Sequence, residues 1–228
     1  MKKVLVVAGH PDDECLGAGG AMAMHADRGD HVSVIILATG IGARKKEGES
    51  YSDEIRQLRR DSKRALVRLG VNDVEYFDFP DNSMDSVPML QIIKAIEGVV
   101  RAKTPDIVYT HHWGDLNVDH RICFNAVMTA CRPFSSGVKR ILCFEILSST
   151  ECNVQTAQTA FLPNHHIVLT RRELDKKLAA LKEYKSEMMK PPHPRSISSV
   201  ELLARYRGMT INQEFAESFF IARDIESE

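Results

Sequence analysis

The chain has 228 residues, 43% of them hydrophobic and 27% charged, a balance typical of globular proteins that excludes intrinsic disorder. The 30 Lys and Arg residues and the 31 Asp and Glu residues leave a formal net charge of −1. This neutrality gives no electrostatic reason to expect a nucleic acid or an anionic membrane surface as a partner.

Cysteine usage and the N-terminus both indicate a cytoplasmic protein. The five cysteines are odd in number, irregularly spaced and without a CxxC pair, which argues against a disulfide framework and against a structural zinc knuckle. The apolar run Val4–Ala8 is too short for a signal peptide and leads into His-Pro-Asp-Asp-Glu. No apolar run is long enough for a transmembrane helix.

The first predicted elements form a βαβ unit. Val4–Ala8 and His31–Ala38 are β-branched apolar runs typical of strands buried on both faces, and Glu14–Arg28 between them predicts a helix. The alternation continues with helices at Ser52–Leu69, Val87–Ala102 and Val118–Cys131, and strands at Val74–Phe79, Asp106–Thr110 and Arg140–Phe144. This order predicts an α/β fold whose mostly parallel sheet has helices on both sides.

Beyond about residue 147 the alternation decays. The remaining predicted elements are a strand at His165–Leu169, helices at Arg171–Lys185 and Ser199–Tyr206, and a strand at Phe219–Ala222. With no linker or repeat in the sequence, we predict a single domain over 1–228. Its α/β core covers about 1–147 and a C-terminal elaboration covers about 148–228. The apolar helices permit a homo-oligomer.

Ionisable residues are concentrated directly after the first strand, in His10-Pro11-Asp12-Asp13-Glu14. The carboxyl end of a strand is where α/β proteins display their sites. Asp12 or Asp13 could simply cap the following helix, with Glu14 in its first turn. That interpretation leaves the histidine unexplained, and a histidine beside an aspartate is a combination that suits zinc.

A second cluster follows the predicted strand Asp106–Thr110 and contains three histidines and two aspartates. His111 and His112 are adjacent, so at most one of them is expected to point into a site. His120 lies near the start of the next helix. Asp119 beside it either caps that helix or orients a catalytic group.

Two strand ends of one parallel sheet can bring these clusters face to face. His10, Asp13 and His120 would then provide three metal ligands and leave one open position, as in catalytic zinc sites. Asp12 would remain unligated and free to act as a base. Another divalent metal such as Fe²⁺ is the alternative to Zn²⁺.

The two motifs together resemble the LmbE/PIG-L family of zinc-dependent N-acetylglucosaminyl deacetylases. Ala8–Glu14, followed by Gly17 and Gly19-Gly20, is similar to the first family signature, and Asp115–Arg121 is similar to the second. Weaker resemblance reaches later positions, among them Pro192–Ser196.

The resemblance implies a Rossmann-like three-layer sandwich and the removal of an N-acetyl group from an N-acetylglucosamine-type conjugate. It assigns the metal to His10, Asp13 and His120 and the general base to Asp12. Many members have a histidine three residues before the last metal ligand, where this chain has Asn117. An amide can donate to an oxyanion but cannot deliver a proton, so we expect Asp12 to act as both base and acid.

Four further residues are predicted to contact the substrate. Asp81 follows a strand and could bind sugar hydroxyls, although Pro80-Asp81-Asn82 is also typical of a turn. Arg44, in the run Arg44-Lys45-Lys46, and His193 lie in loops expected near the mouth of the site. His112 and His193 are alternative proton donors.

Three other functions remain open at this stage. A dinucleotide-binding module would need G-x-G-x-x-G where this chain has His-Pro-Asp-Asp. A metal-dependent amidase acting on a different amide and a non-catalytic, metal-dependent sugar-binding protein are both compatible with the motifs.

Overall fold

The computed structural model describes residues 1–44 and 50–226, so Lys45 and Lys46 lie outside the described residues. Seven strands form one sheet in the order β3-β2-β1-β4-β5-β7-β6. The strands are β1 Lys3–Ala8, β2 His31–Ala38, β3 Asp73–Phe79, β4 Ile107–His111, β5 Arg140–Phe144, β6 His165–Val168 and β7 Ala216–Asp224. The helices are α1 Asp13–Asp27, α2 Ser52–Arg68, α3 Met89–Lys103, α4 Val118–Ala130, α5 Arg171–Leu181 and α6 Ile197–Met209.

The sheet is covered on both faces, as the continuous apolar strands predict. In β1, Val4 and Val6 face a core that includes residues of α1, α2 and α5, whereas Leu5 and Val7 face a core built with α3 and α4. The inner strands β1, β2, β4 and β5 therefore bury both sets of alternating side chains, whereas the edge strand β3 is only partly buried. The prediction of an α/β three-layer sandwich with a mostly parallel sheet is confirmed.

The C-terminal part extends this same sheet. Strand β7 pairs antiparallel with β5, and β6 pairs antiparallel with β7, whereas β1 to β5 pair in parallel. A buried ion pair joins β7 to α5, and hydrogen bonds to the same carboxylate join β7 to α1. Lys177 Nζ lies 2.6 Å from Glu217 Oε1, and the Glu217 carboxylate accepts hydrogen bonds from the backbone of Gly20 and Ala21.

The topology brings two loops together at one edge of the sheet. From β1 the chain builds β2 and β3 on one side, then crosses over to place β4 on the other side of β1. The loops after β1 and β4 therefore flank the point where the strand order reverses, and open α/β sheets bind ligands at this point. Among residues 1–44 and 50–226, no helix combines the length and apolarity needed to cross a bilayer.

Candidate metal centre and active site

His10, Asp13 and His120 converge between the ends of β1 and β4. Nδ1 of His10 lies 3.2 Å and Nε2 of His120 lies 3.1 Å from the same atom, Oδ2 of Asp13. One ligand atom from each residue lies within 4.8 Å of the other two, and all three side chains are buried. The predicted ligand set is therefore brought together in space.

The chemistry of this set fits a divalent metal ion. Within the described part of the chain, Nε2 of His120 forms no hydrogen bond although it is buried. Unpaired buried polar atoms are rare, and a cation between this nitrogen and Asp13 would satisfy both. Two imidazole nitrogens and one carboxylate oxygen, with a cavity on the remaining side, match the ligands of catalytic zinc sites.

A second layer of carboxylates supports both imidazoles. Nε2 of His10 lies 3.0 Å from Oδ2 of Asp119, and Nδ1 of His120 lies 3.1 Å from Oδ1 of Asp115. Ligating histidines commonly present their second ring nitrogen to a carboxylate in this way, which fixes the ring orientation. Asp119 is predicted either to cap the helix or to orient another side chain, and its contact with His10 is compatible with the second role.

Asp119 is also held by the backbone. Its carboxylate accepts hydrogen bonds from the N–H groups of Asn82, at 2.7 Å, and Met84, at 2.9 Å. His10, Asp81 and Asp119 form a second group with metal-ligand geometry. Because Asp119 already accepts two backbone hydrogen bonds, we assign it the supporting position and the metal to Asp13.

The pKa values of the two neighbouring imidazoles His111 and His120 are shifted in opposite directions. Burial lowers the pKa of His120, but Asp13 and Asp115 outweigh this effect and raise that pKa to about 9. Burial and the neighbouring His120 together lower the pKa of His111 well below its ordinary value. His111 is therefore neutral, and its Nε2 accepts a hydrogen bond from the Gly9 backbone at 2.8 Å. The neighbouring carboxylates also raise the pKa of His10 against the effect of burial, so a bound metal ion would replace positive charge at both imidazoles.

Asp12 lies beside the ligands in a strained backbone conformation. Its φ is 112° and its ψ is −26°, a combination rare outside glycine and typical of functional residues. The conformation is held by hydrogen bonds from the Asp12 N–H to Glu14 Oε2, at 2.9 Å, and from Cys15 N–H and Leu16 N–H to the Asp12 carbonyl. Its carboxylate contacts the guanidinium of Arg195.

The ligands and Asp12 border a cavity of about 170 Å³. The other polar side chains along its wall are Arg44, Asp81, Asn82, Asn117, Ser148, Ser149, Glu187 and Arg195. The site is therefore polar and open to solvent on the side away from the sheet.

Comparison with known proteins identifies the family. A family model described as PIG-L: GlcNAc-PI de-N-acetylase matches residues 5–131. The chain belongs to the PIG-L family. The resemblance seen in the two motifs is thus confirmed, and with it the expectation of an N-deacetylase at the level of the family.

The chain is also similar to individual proteins, among them two deacetylases and one hydratase of known structure. It is 29% identical over 190 residues to the uncharacterized deacetylase YaiS of Escherichia coli K12, covering 81% of this chain and 91% of that protein. It is 32% identical over 109 residues to the diacetylchitobiose deacetylase of Thermococcus kodakarensis, covering 47% and 40%. The solved structure of GalB, a 4-carboxy-2-hydroxymuconate hydratase from Pseudomonas putida KT2440, shares the fold with a TM-score of 0.78 at 24% identity, covering 100% and 99%.

Three of the predicted substrate and transition-state residues line the cavity of this PIG-L protein. Asn117 caps α4, where its Oδ1 accepts from Asp119 N–H at 2.9 Å and its Nδ2 donates to Asn82 Oδ1 at 2.8 Å. Asp81 accepts from Ala43 N–H at 2.9 Å. Arg44 donates to both carboxylate oxygens of Glu187.

The structure places His112 and His193 away from the cavity wall. His112 is buried, and its Nε2 donates to the Thr159 carbonyl at 2.9 Å, because adjacent residues on β4 and its extension face opposite ways and His111 takes the inward position. His193 is exposed, and its Nδ1 accepts from Arg195 N–H at 3.0 Å. Neither residue lines the cavity of about 170 Å³, so their roles in substrate binding and proton supply stay predictions.

Sequence reasoning missed Arg195 and Glu187. Arg195 belongs to the tract Pro192–Ser196 that resembles later family positions, which is a usable signal, although the residue predicted from that tract is His193. Glu187 follows α5 with no motif around it. Only the packing of the segment between α5 and α6 over the sheet edge brings these two charges to the cavity.

Proposed function

We propose that this protein is a zinc-dependent hydrolase that removes the N-acetyl group from an N-acetylglucosamine-type sugar conjugate. The observation that carries the proposal is the buried set of His10, Asp13 and His120, open on one side to a polar cavity that Asp12 also borders. Membership of the PIG-L family supports the acetyl group as the group removed.

Asp12 is the proposed general base. Its carboxylate lies at the cavity wall beside the metal ligands, so it is placed to accept a proton from a water molecule that attacks an amide carbonyl. Zinc, when bound, would lower the pKa of water to about 7 and polarise the carbonyl. Asp12 would then return the proton to the departing amine, since Asn117 cannot supply one.

Asn117 and Asp119 have supporting roles in this proposal. One Asn117 Nδ2 hydrogen is used on Asn82, and the second is available to a developing oxyanion in the cavity. Asp119 keeps the His10 ring oriented through the contact of 3.0 Å at its Nε2.

The cavity volume limits how much of a substrate can enter. At about 170 Å³ it is smaller than the roughly 300–1,000 Å³ of pockets that enclose a drug-sized ligand. We therefore propose that the acetamido sugar unit occupies the cavity, whose wall includes Asp81 and Arg44, and that the aglycone lies outside.

The proposal extends to the protein's setting. All five cysteines are free, four of them buried, which supports a reducing, cytoplasmic environment. Because β6 and β7 complete the sheet that β1 to β5 begin, we also propose that residues 1–228 form one domain.

The decisive experiment is a panel of N-acetylated sugars and sugar conjugates incubated with zinc-loaded protein. Free amine and acetate should appear in equal amounts for at least one conjugate. The panel includes N-formyl and N-malonyl analogues and amino-acid amides, because release from these alone would indicate an amidase of different specificity. Binding of N-acetylated sugars with no release of acetate would indicate a sugar-binding protein and contradict the proposal. Parallel loading with Fe²⁺ identifies the metal that supports the higher turnover.

A further inference from the structure

Arg195 brings a guanidinium group to Asp12 from a distant part of the chain. It lies in the segment between α5 and α6, directly before the α6 N-cap Ser196. Its Nη2 contacts Oδ2 of Asp12 and lies 3.8 Å from Oε2 of Glu187. The Arg195 side chain is 22% exposed and that of Asp12 is 2% exposed, so the contact is largely shielded from water.

The position of Arg195 is fixed on its backbone and its side chain. Its N–H donates to Nδ1 of His193 at 3.0 Å, and its carbonyl accepts from Met189 N–H at 3.2 Å. Glu187, which faces the guanidinium, is itself held by Arg44 Nη1 at 3.0 Å. These two backbone hydrogen bonds and the neighbouring Glu187 carboxylate restrict the direction in which the Arg195 guanidinium points.

Arg195 is partly buried, which is unusual for a charged side chain. Burial lowers the pKa of Arg195 to about 10, and its Nε forms no hydrogen bond with the described residues. A charged side chain is retained in such a place when it has a partner of opposite charge. The partner here is the carboxylate assigned above to proton transfer.

We propose that Arg195 is a positioning residue for Asp12. By contacting Oδ2, the guanidinium sets the orientation of the carboxylate at the cavity wall and leaves Oδ1 to accept and return the proton. Planar guanidinium groups match carboxylates in geometry and charge, which suits them to fix an orientation. This inference rests on the proposed function, because it gives Asp12 the role of base.

The test compares Arg195→Met with Lys190→Met, each as the full-length zinc-loaded protein. Lys190 is an exposed cation in the same segment and lies outside the cavity wall, so its replacement controls for charge removal. Misplacing a reacting group by about 1 Å can cost about 100-fold in rate, and we expect kcat of Arg195→Met to fall by that order. KM and zinc content should remain those of the control.

A double-mutant cycle separates positioning from general structural support. In an Asp12→Asn background, Arg195→Met should lower the residual kcat no further, because the carboxylate it positions is gone. The melting temperature gives a readout independent of activity. Arg195→Met alone leaves a buried carboxylate unpaired, so its melting temperature should fall by more in the parent than in the Asp12→Asn background. If Arg195→Met does not fold, Arg195→Gln takes its place with the same expectations.

Three results would overturn the inference: a kcat equal to that of the Lys190→Met protein, an effect confined to KM, or equal losses in both backgrounds. Failure of the proposed function looks different, because the parent protein would then release no acetate from any conjugate. In that case the coupling of melting temperatures still decides whether Arg195 and Asp12 act as a pair.

Discussion

The two metal-site imidazoles have the same arrangement of neighbours. Each ring turns one nitrogen to Asp13 and the other to a supporting carboxylate, which is Asp119 for His10 and Asp115 for His120. The orientation of each ring is thus determined by two contacts at once, and neither histidine can be exchanged without losing a ligand atom.

Replacing His10 or His120 by alanine should therefore abolish both zinc binding and acetate release. Only two of the three ligands would remain, which is too few to hold zinc tightly. Metal analysis of the purified variants by mass spectrometry checks this. A normal zinc content in either variant would contradict the ligand assignment.

Asp12→Asn should keep zinc and lose most turnover. The amide preserves the size of the side chain but cannot accept a proton, and general base catalysis contributes about 10²- to 10⁴-fold. Metal content and kcat measured on the same preparation check the expectation. Turnover at the parent rate would exclude Asp12 from the proton transfer.

His25 lies far from the cavity and should make stability depend on pH. Burial lowers its pKa below the ordinary value of 6.5, although its hydrogen bond to Asp30 opposes this. The unfolded chain therefore binds a proton that the folded chain rejects, and the free energy of unfolding falls as the pH drops below about 6.5. Urea unfolding across this range should show a shallower dependence for His25→Gln. A His25→Gln protein that keeps the parent pH dependence would contradict this role.

Helix α1 is positioned by its close approach to β5. A Cβ atom at Gly17 would lie 2.3 Å from the Phe144 ring, which no side chain tolerates without movement. The glycine lets the helix that begins at Asp13, a ligand of the proposed metal site, lie against the sheet. Packing between two elements here decides the geometry of the site.

Gly17→Ala should therefore destabilise the protein by about 1–3 kcal/mol, the usual cost of overpacking a core. Gly98 in α3 is the matched control, because a Cβ there meets nothing within 4 Å. Gly98→Ala should stabilise the protein by about 0.5–1 kcal/mol, as alanine does in a helix interior. Denaturant unfolding of both variants measures these changes in the free energy of unfolding. Equal changes would contradict the close packing of Gly17 against Phe144.

The metal centre connects parts of the chain that are far apart in sequence. It joins the loop after β1 to the start of α4, and through Asp119 it reaches the backbone of Asn82 and Met84 after β3. A ligand that binds the folded state alone adds its binding energy to the stability of the fold.

Removing the metal with a chelator should therefore lower the melting temperature, and added zinc should restore it. Free zinc at 100 times its dissociation constant would contribute about 2.7 kcal/mol. Thermal unfolding with and without chelator checks this, and His120→Ala should show no difference between the two conditions. A chelator effect of the same size in that variant would place the stabilising metal elsewhere.

Local pattern determined most of the elements and predicted which residues the proposed metal site would use. The strand His31–Ala38 and the strand Arg140–Phe144 agree with the structure at both ends, because apolar β-branched runs are buried on both faces wherever they lie. His10, Asp13 and His120 were identifiable because strand ends in an α/β alternation face one edge of the sheet, and because both motifs resemble a known family.

Tertiary structure alone decided the strand order, the insertion of β7 between β5 and β6, and the part of the cavity wall that Glu187 and Arg195 contribute. Arg195 and Glu187 reach Asp12 and Arg44 across more than a hundred residues of chain. Hydrophobic periodicity carries no information on such contacts, because it reports which face of an element is buried and not which element covers it. A histidine's place in a motif likewise does not specify the direction of its ring, so the sequence alone could not show that His112 faces the Thr159 carbonyl or that His193 is exposed.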